Sequence, residues 1–219
     1  MSIQTPTTNY RDLIERLPPD SALTLRNVSW EDYEGLLEGV GEAAGLRISY
    51  ERGTLQIMTL SPEHESYTKI IERLVDLLSI RLRIKILFFG SATMKRERNE
   101  RGSEPDACFY VQNADRIGKN QQIDFSKDPP PDIVVEVDVH HDSQDKFSIY
   151  AALGVPEIWR YDERALTIHH LKEGQYIEAE SSLALPMLDA RVLTDFLNRS
   201  QREDQYEILL AFENWLQRL

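Results

Sequence analysis

The sequence predicts a single α/β domain with a helix appended at either end. Three observations carry this. Tyr67, Ile70, Ile71, Leu74, Leu77 and Leu78 recur at helical spacing. Leu46, Ile48 and Tyr50, then Leu55 and Ile57, alternate with polar residues as strands do. Short apolar runs at 84–89, 106–111 and 132–139 precede a helical stretch and three more strand-like runs, so helices bracket strands.

Residues 1–27 read as a lead-in, with a short helix over 10–17 stopped by Pro18-Pro19. Ser29 caps a helix from 30 to about 44, with Glu31 and Asp32 in its first turn. The alternating residues at 46–57 form a hairpin that turns at Arg52-Gly53. Ser61-Pro62 supply the N-cap and first position of the next helix. The continuous apolar run at 84–89 predicts a buried strand, and Lys95, Arg96, Arg98 and Arg101 follow it in a loop or strand end. Residues 142–153 form a helix capped by Asp142 or Ser143 and stopped at Gly154. Three strands with turns at Asp162-Glu163 and Glu173-Gly174 come next, then two amphipathic helices near 188–198 and 203–218.

Composition narrows the function. The chain has 219 residues with a net charge of −12, so phosphate binding needs a local basic patch or metal ions. Cys108 is the single cysteine, which excludes an internal disulfide and a Cys-rich zinc site. No run approaches ~18 apolar residues and the N-terminus lacks an apolar signal core, so the sequence points to a cytoplasmic protein with no membrane partner. His140-His141 and His169-His170 are adjacent pairs whose side chains point to opposite faces of a strand, which argues against a shared metal.

The chemistry concentrates in Glu104-Pro105-Asp106, the segment 132–138 and Lys146. In a strand, Asp132, Val134, Glu136 and Asp138 share one face, while Ile133, Val135, Val137 and Val139 face a core. Carboxylates on such a strand repel and need a partner, and a divalent cation supplies one. Alternatively these acids are exposed strand residues and caps. The segments SPEHE, EPDACFYV, PPPDIVVEVDV and IYAALGVPEIWRYD together resemble the PD-(D/E)XK nuclease superfamily, and more narrowly the Uma-two family of restriction-endonuclease-like proteins, over residues 28–195.

The resemblance implies a restriction-endonuclease-like fold, a central mixed sheet flanked by helices, occupying 28–198, with 199–219 as a C-terminal helix on the domain or at a dimer interface. It implies Mg²⁺, replaceable by Mn²⁺, held by Asp106, Glu136 and the carbonyl of Val137. It also implies a lysine that orients the attacking water. The usual lysine slot holds Asp138, which leaves Lys146 as the candidate. Asp138 is then a third metal ligand or a salt-bridge partner of Lys146. From the helix opened by Ser61, geometry favours His64 or Glu63 for the site and turns Glu65 to solvent. The leading expectation is a Mg²⁺-dependent DNA endonuclease, with the basic cluster at 95–101 contacting DNA and a possible homodimer through Ile208, Leu209, Phe212, Trp215 and Leu216. The alternatives are a catalytically inactive nuclease-like interaction module and an RNA-directed phosphodiesterase.

Overall fold

Strand pairing divides the protein into two sheets. The computed structural model describes residues 14, 16–41, 45–119 and 123–219. The short helix expected over 10–17 lies largely outside them, as do residues 42–44 of the next expected helix. Among the described residues the first strand is β1 (Ala22–Arg26), which pairs antiparallel with β3. Part of the segment read as a lead-in is therefore a strand. Ser29 accepts from the Asp32 N–H and opens α1 (Trp30–Val40), which Gly41 ends at a φ of 61°.

The hairpin forms as its alternation predicts: β2 (Leu46–Glu51) and β3 (Thr54–Thr59) pair Ile48 with Ile57 and Tyr50 with Leu55. Arg52 and Gly53 both take positive φ, the conformation a two-residue hairpin turn needs. Ser61 caps α2 (Pro62–Leu82) by accepting from the His64 N–H. The apolar run at 84–89 yields only the two-residue edge strand β4 (Leu87–Phe88). Its neighbours Ile86 and Phe89 pack into two different cores, so the run serves burial rather than pairing.

The basic stretch expected in a loop or strand end folds into two short strands, β5 (Met94–Arg96) and β6 (Arg101–Ser103). They complete a smaller antiparallel sheet of order β1-β3-β2-β6-β5. One face packs on α1 through Tyr33, Leu36, Ile48, Leu55 and Ile57. A Cβ at position 102 would collide with the Tyr33 hydroxyl, so the strand needs Gly102.

β7 (Ala107–Tyr110), the short α3 (Ala114–Ile117), β8 (Ile133–Val137), α4 (Phe147–Leu153), β9 (Glu157–Tyr161), β10 (Leu166–Lys172) and β11 (Gln175–Ala179) follow. The larger sheet runs β11-β10-β9-β8-β7-β4, with β8 and β9 parallel and its other pairs antiparallel. It is the expected mixed sheet flanked by helices, with a second sheet beside it. α5 (Ala190–Arg199) and α6 (Gln205–Leu216) close the chain.

β8 is buried on both faces. Ile133, Val135 and Val137 meet α2, α5 and α6 in the main core with Ile71, Leu74, Leu193 and Phe212. Val134 meets Ile149, Tyr150 and Leu153 of α4 on the other side. The face that carries the carboxylates is thus packed over at Val134, and Glu136 stands at its end against Lys146 and Tyr150 of the segment above. Ile208, Phe212 and Leu216 of α6 are buried within this same domain.

Candidate functional site

Two carboxylates converge where the sheets meet. The β7–β8 register pairs Ala107 with Val135, and one further step sets Asp106 across from Glu136. Opposite residues of an antiparallel pair share a face, with Cβ atoms ~5 Å apart. Asp106 and Glu136 are both almost fully buried, at 3% and 1% exposure. Every carboxylate oxygen of the pair is engaged, as the cost of burying an unpaired charge demands. Arg47 Nε donates to Asp106 Oδ1 at 2.9 Å and the Val137 N–H to Oδ2 at 2.8 Å. Lys146 Nζ donates to Glu136 Oε2 at 2.7 Å, and the Tyr150 hydroxyl donates to Oε1.

Each partner arrives from a separate element. Arg47 alternates with Leu46 and Ile48 on β2, so it points away from the α1 core and toward the larger sheet. Lys146 ends the 3₁₀ turn Gln144–Lys146 that leads into α4, and Tyr150 lies one turn further on. Ser103 Oγ of β6 lies 3.1 Å from the Tyr150 hydroxyl and ties the smaller sheet to the pair. His64 Nε2 of α2 stands 3.0 Å from Asp106 Oδ2, although neither ring nitrogen has an aligned hydrogen-bond partner.

Of the residues singled out from sequence, Asp106, Glu136, Lys146, His64 and the main chain of Val137 therefore come together. Asp138 does not join them. Its carboxylate accepts from the Ser143 N–H with both oxygens, at 3.1 and 3.2 Å, and pairs with Arg160 of β9. It is a cap on the turn that delivers Lys146, in place of a third metal ligand or a direct partner of that lysine. The reason is topological: β8 ends at Val137, and Asp138 already faces the returning loop.

The helix-geometry expectation for α2 is also corrected. Glu63 is exposed, whereas Glu65 is half-buried with Oε1 3.6 Å from Arg47 Nη2. The smaller sheet approaches that flank of α2, which the helix's own periodicity could not reveal. The basic cluster is mostly consumed internally. Lys95 pairs with Glu34, Arg101 with Glu51, and Arg96 donates twice to the Phe125 carbonyl. Elsewhere, His140 Nε2 lies 3.1 Å from Asp20 Oδ2 and His169 packs edge-on against Phe147. Burial pushes the Cys108 thiol up to about 12.

Electrostatics separates the two acids. Burial raises both, but His64, Lys146 and Arg47 outweigh it at Asp106 and hold that carboxyl below its ordinary value. At Glu136 burial prevails over the attraction of Lys146, with Asp106 adding to the rise, so its pKa is pushed up. Burial pushes the Lys146 ammonium down, yet Glu136 and Asp106 more than compensate and keep it charged.

The donor set suits a small hard cation: two facing carboxylates with a neighbouring main-chain carbonyl. Each carboxylate oxygen retains lone-pair capacity beyond the bonds described. Among the described residues no group of three His, Cys, Asp or Glu side chains gathers as a ligand set. Water and phosphate oxygens would fill the remaining positions, which is how Mg²⁺ is commonly bound. A cleft of about 510 Å³ between the smaller sheet and the turn before α4, lined by Ser49, Glu51, Gln56, Gln144 and Ser148, reaches Lys146. A larger cleft of about 1040 Å³ beside Trp30, Arg52 and Arg98 touches none of the converging residues.

Comparison with known proteins places the chain in a family. A family model named Uma2, described as "Putative restriction endonuclease", matches residues 30–217. Among solved structures, the chain is similar to a protein from Anabaena variabilis described as "a putative nuclease belonging to DUF820". The identity is 16% and the TM-score 0.48, over 68% of this chain and 90% of that one. No protein of curated function matches. Among the described residues, no helix is long and apolar enough to cross a membrane.

Proposed function

We propose that this chain, which belongs to the Uma2 family of "Putative restriction endonuclease" proteins, hydrolyses DNA phosphodiester bonds with a metal-activated water. The observation that carries the reading is the convergence of Asp106, Glu136 and Lys146, brought from three segments into one buried cluster beside a cleft. Asp106, Glu136 and the Val137 carbonyl would hold Mg²⁺, with Mn²⁺ as a substitute. Such an ion, when bound, lowers the pKa of a coordinated water and offsets developing phosphorane charge.

The chain's own residues do the rest. Lys146 stays an ammonium, because Glu136 and Asp106 raise its pKa. It therefore donates to the attacking water or to a phosphate oxygen and does not remove a proton itself. Tyr150 fixes the Glu136 carboxylate, Arg47 with the Val137 N–H fixes Asp106, and His64 stands beside Asp106 Oδ2.

A second reading, an inactive nuclease-like interaction module, is favoured by one observation: all four oxygens of the pair already accept hydrogen bonds from the protein or stand beside its cations. Cleavage of supercoiled plasmid, single-stranded DNA and RNA, with Mg²⁺, Mn²⁺ or EDTA, decides. Metal-dependent cutting of DNA that Glu136→Ala abolishes supports the proposal. Cutting confined to RNA changes its substrate, and a folded wild type that cuts nothing supports the inactive module.

A further inference from the structure

The pairing at the carboxylates has an unequal member. Lys146 comes from the segment next to β8, but Arg47 comes from the smaller sheet and lies outside every motif that resembles a nuclease. Its guanidinium is held at three points. Nε donates to Asp106 Oδ1 at 2.9 Å, Nη1 donates to the Leu46 carbonyl at 2.8 Å, and Nη2 lies 3.6 Å from Glu65 Oε1. At 7% exposure it cannot swing into solvent as a surface arginine does.

A divalent cation at Asp106 Oδ1 would sit ~2.1 Å from that oxygen and so close to a fixed positive charge that water does not screen. We infer that Arg47 is a built-in competitor for the Asp106 carboxylate and sets how tightly this site takes a divalent cation. The inference rests on the reading of Asp106 as a cation-holding residue. Arg47 touches no reacting atom; it acts through Asp106.

The test is direct titration of the full chain with Mn²⁺ alone, following the free-ion electron paramagnetic resonance signal. Circular dichroism and melting confirm the fold of each variant. Arg47→Gln keeps much of the side-chain volume and removes the charge, so its Mn²⁺ affinity should rise at least about tenfold. Arg47→Lys keeps the charge and should stay within about threefold of wild type. Should Arg47→Gln fail to fold, the half-buried Glu65→Gln supplies the opposite test. Without the anion that shares the guanidinium, Arg47 binds Asp106 more exclusively, and Mn²⁺ should bind about twofold more weakly.

A folded Arg47→Gln that binds Mn²⁺ no tighter than wild type overturns the inference, as does tighter binding by Glu65→Gln. If wild type still cuts DNA in a metal-dependent way in either case, the proposed function survives and only the role of Arg47 falls. If no variant binds Mn²⁺ and wild type cuts nothing, both fall together.

Discussion

Lys146 Nζ stands 2.7 Å from Glu136 Oε2, with both side chains almost fully buried and ten positions apart in sequence. The intervening loop is what makes the contact. Asp138 caps Ser143, the Ser143 carbonyl accepts from the Lys146 N–H at 2.9 Å, and the lysine then turns back under α4. Asp138, two positions after Glu136, thus shapes the path by which Lys146 returns to Glu136.

Removing one member of such a pair leaves a buried charge without its partner. Lys146→Met should lower folding stability by about 3 kcal/mol. Adding Glu136→Gln to that variant should recover much of the loss, because the orphaned charge goes with it. Urea denaturation of the two single variants and the double variant measures the coupling. Additive losses would show that the two groups do not act as a pair.

The Asp138–Arg160 pair predicts a separable effect. Asp138→Asn keeps one acceptor for the Ser143 N–H but loses the charge facing Arg160. It should cost about 1–3 kcal/mol and reduce any cleavage less than Lys146→Met does. Equal loss of cleavage in two well-folded variants would make Asp138 part of the reacting site.

The shifted groups set limits in pH. Asp106 is held below its ordinary pKa, so its contribution to stability is present above about pH 4 and is lost as pH falls through the lower folded value. Lys146 is raised, so its contribution is present below about pH 10.4 and disappears as pH rises through the folded value. In EDTA, urea midpoints across pH 3–11 should therefore fall at both ends. Asp106→Asn should flatten the acid limb and Lys146→Met the alkaline limb.

Tyr33 offers a test remote from the site. Its hydroxyl is buried without a partner above Gly102. Tyr33→Phe should be neutral or stabilising by up to about 1 kcal/mol, because an unsatisfied polar group leaves the interior. Gly102→Ala should cost more than about 2 kcal/mol, within the range of overpacking. Thermal melts of both variants check the pair.

Much of this architecture is legible in the sequence because the local signals agree. Ser29 and Ser61 cap the helices they precede, Arg52-Gly53 turns the hairpin, and Gly154 ends α4 in the left-handed conformation. The stretch from Ile149 to Asp162 owes its distinctiveness to packing. Glu157, fully buried, accepts from Trp159 Nε1 and from the Leu183 and Ala184 N–H groups, and Arg160 holds Asp138.

What stays hidden is non-local. The second sheet depends on β5 and β6, three residues each, whose charged side chains read as a loop or strand end. Arg47 and Ser103 enter the site only through that sheet. In sequence Arg47 is simply one of the polar residues, with Ser49 and Glu51, that alternate with Leu46, Ile48 and Tyr50. Tyr150 carries no local signal of a polar role, and its hydroxyl finds Glu136 only once α4 lies across β8.

The most direct test of the account is single-turnover cleavage of a DNA duplex by wild type, Glu136→Gln and Lys146→Met, each confirmed folded, in Mg²⁺ and in EDTA. The account predicts cutting by wild type in Mg²⁺ alone, and losses of at least about a hundredfold in both variants. Wild-type cutting in EDTA, or a Glu136→Gln variant that cuts as fast as wild type, would contradict it.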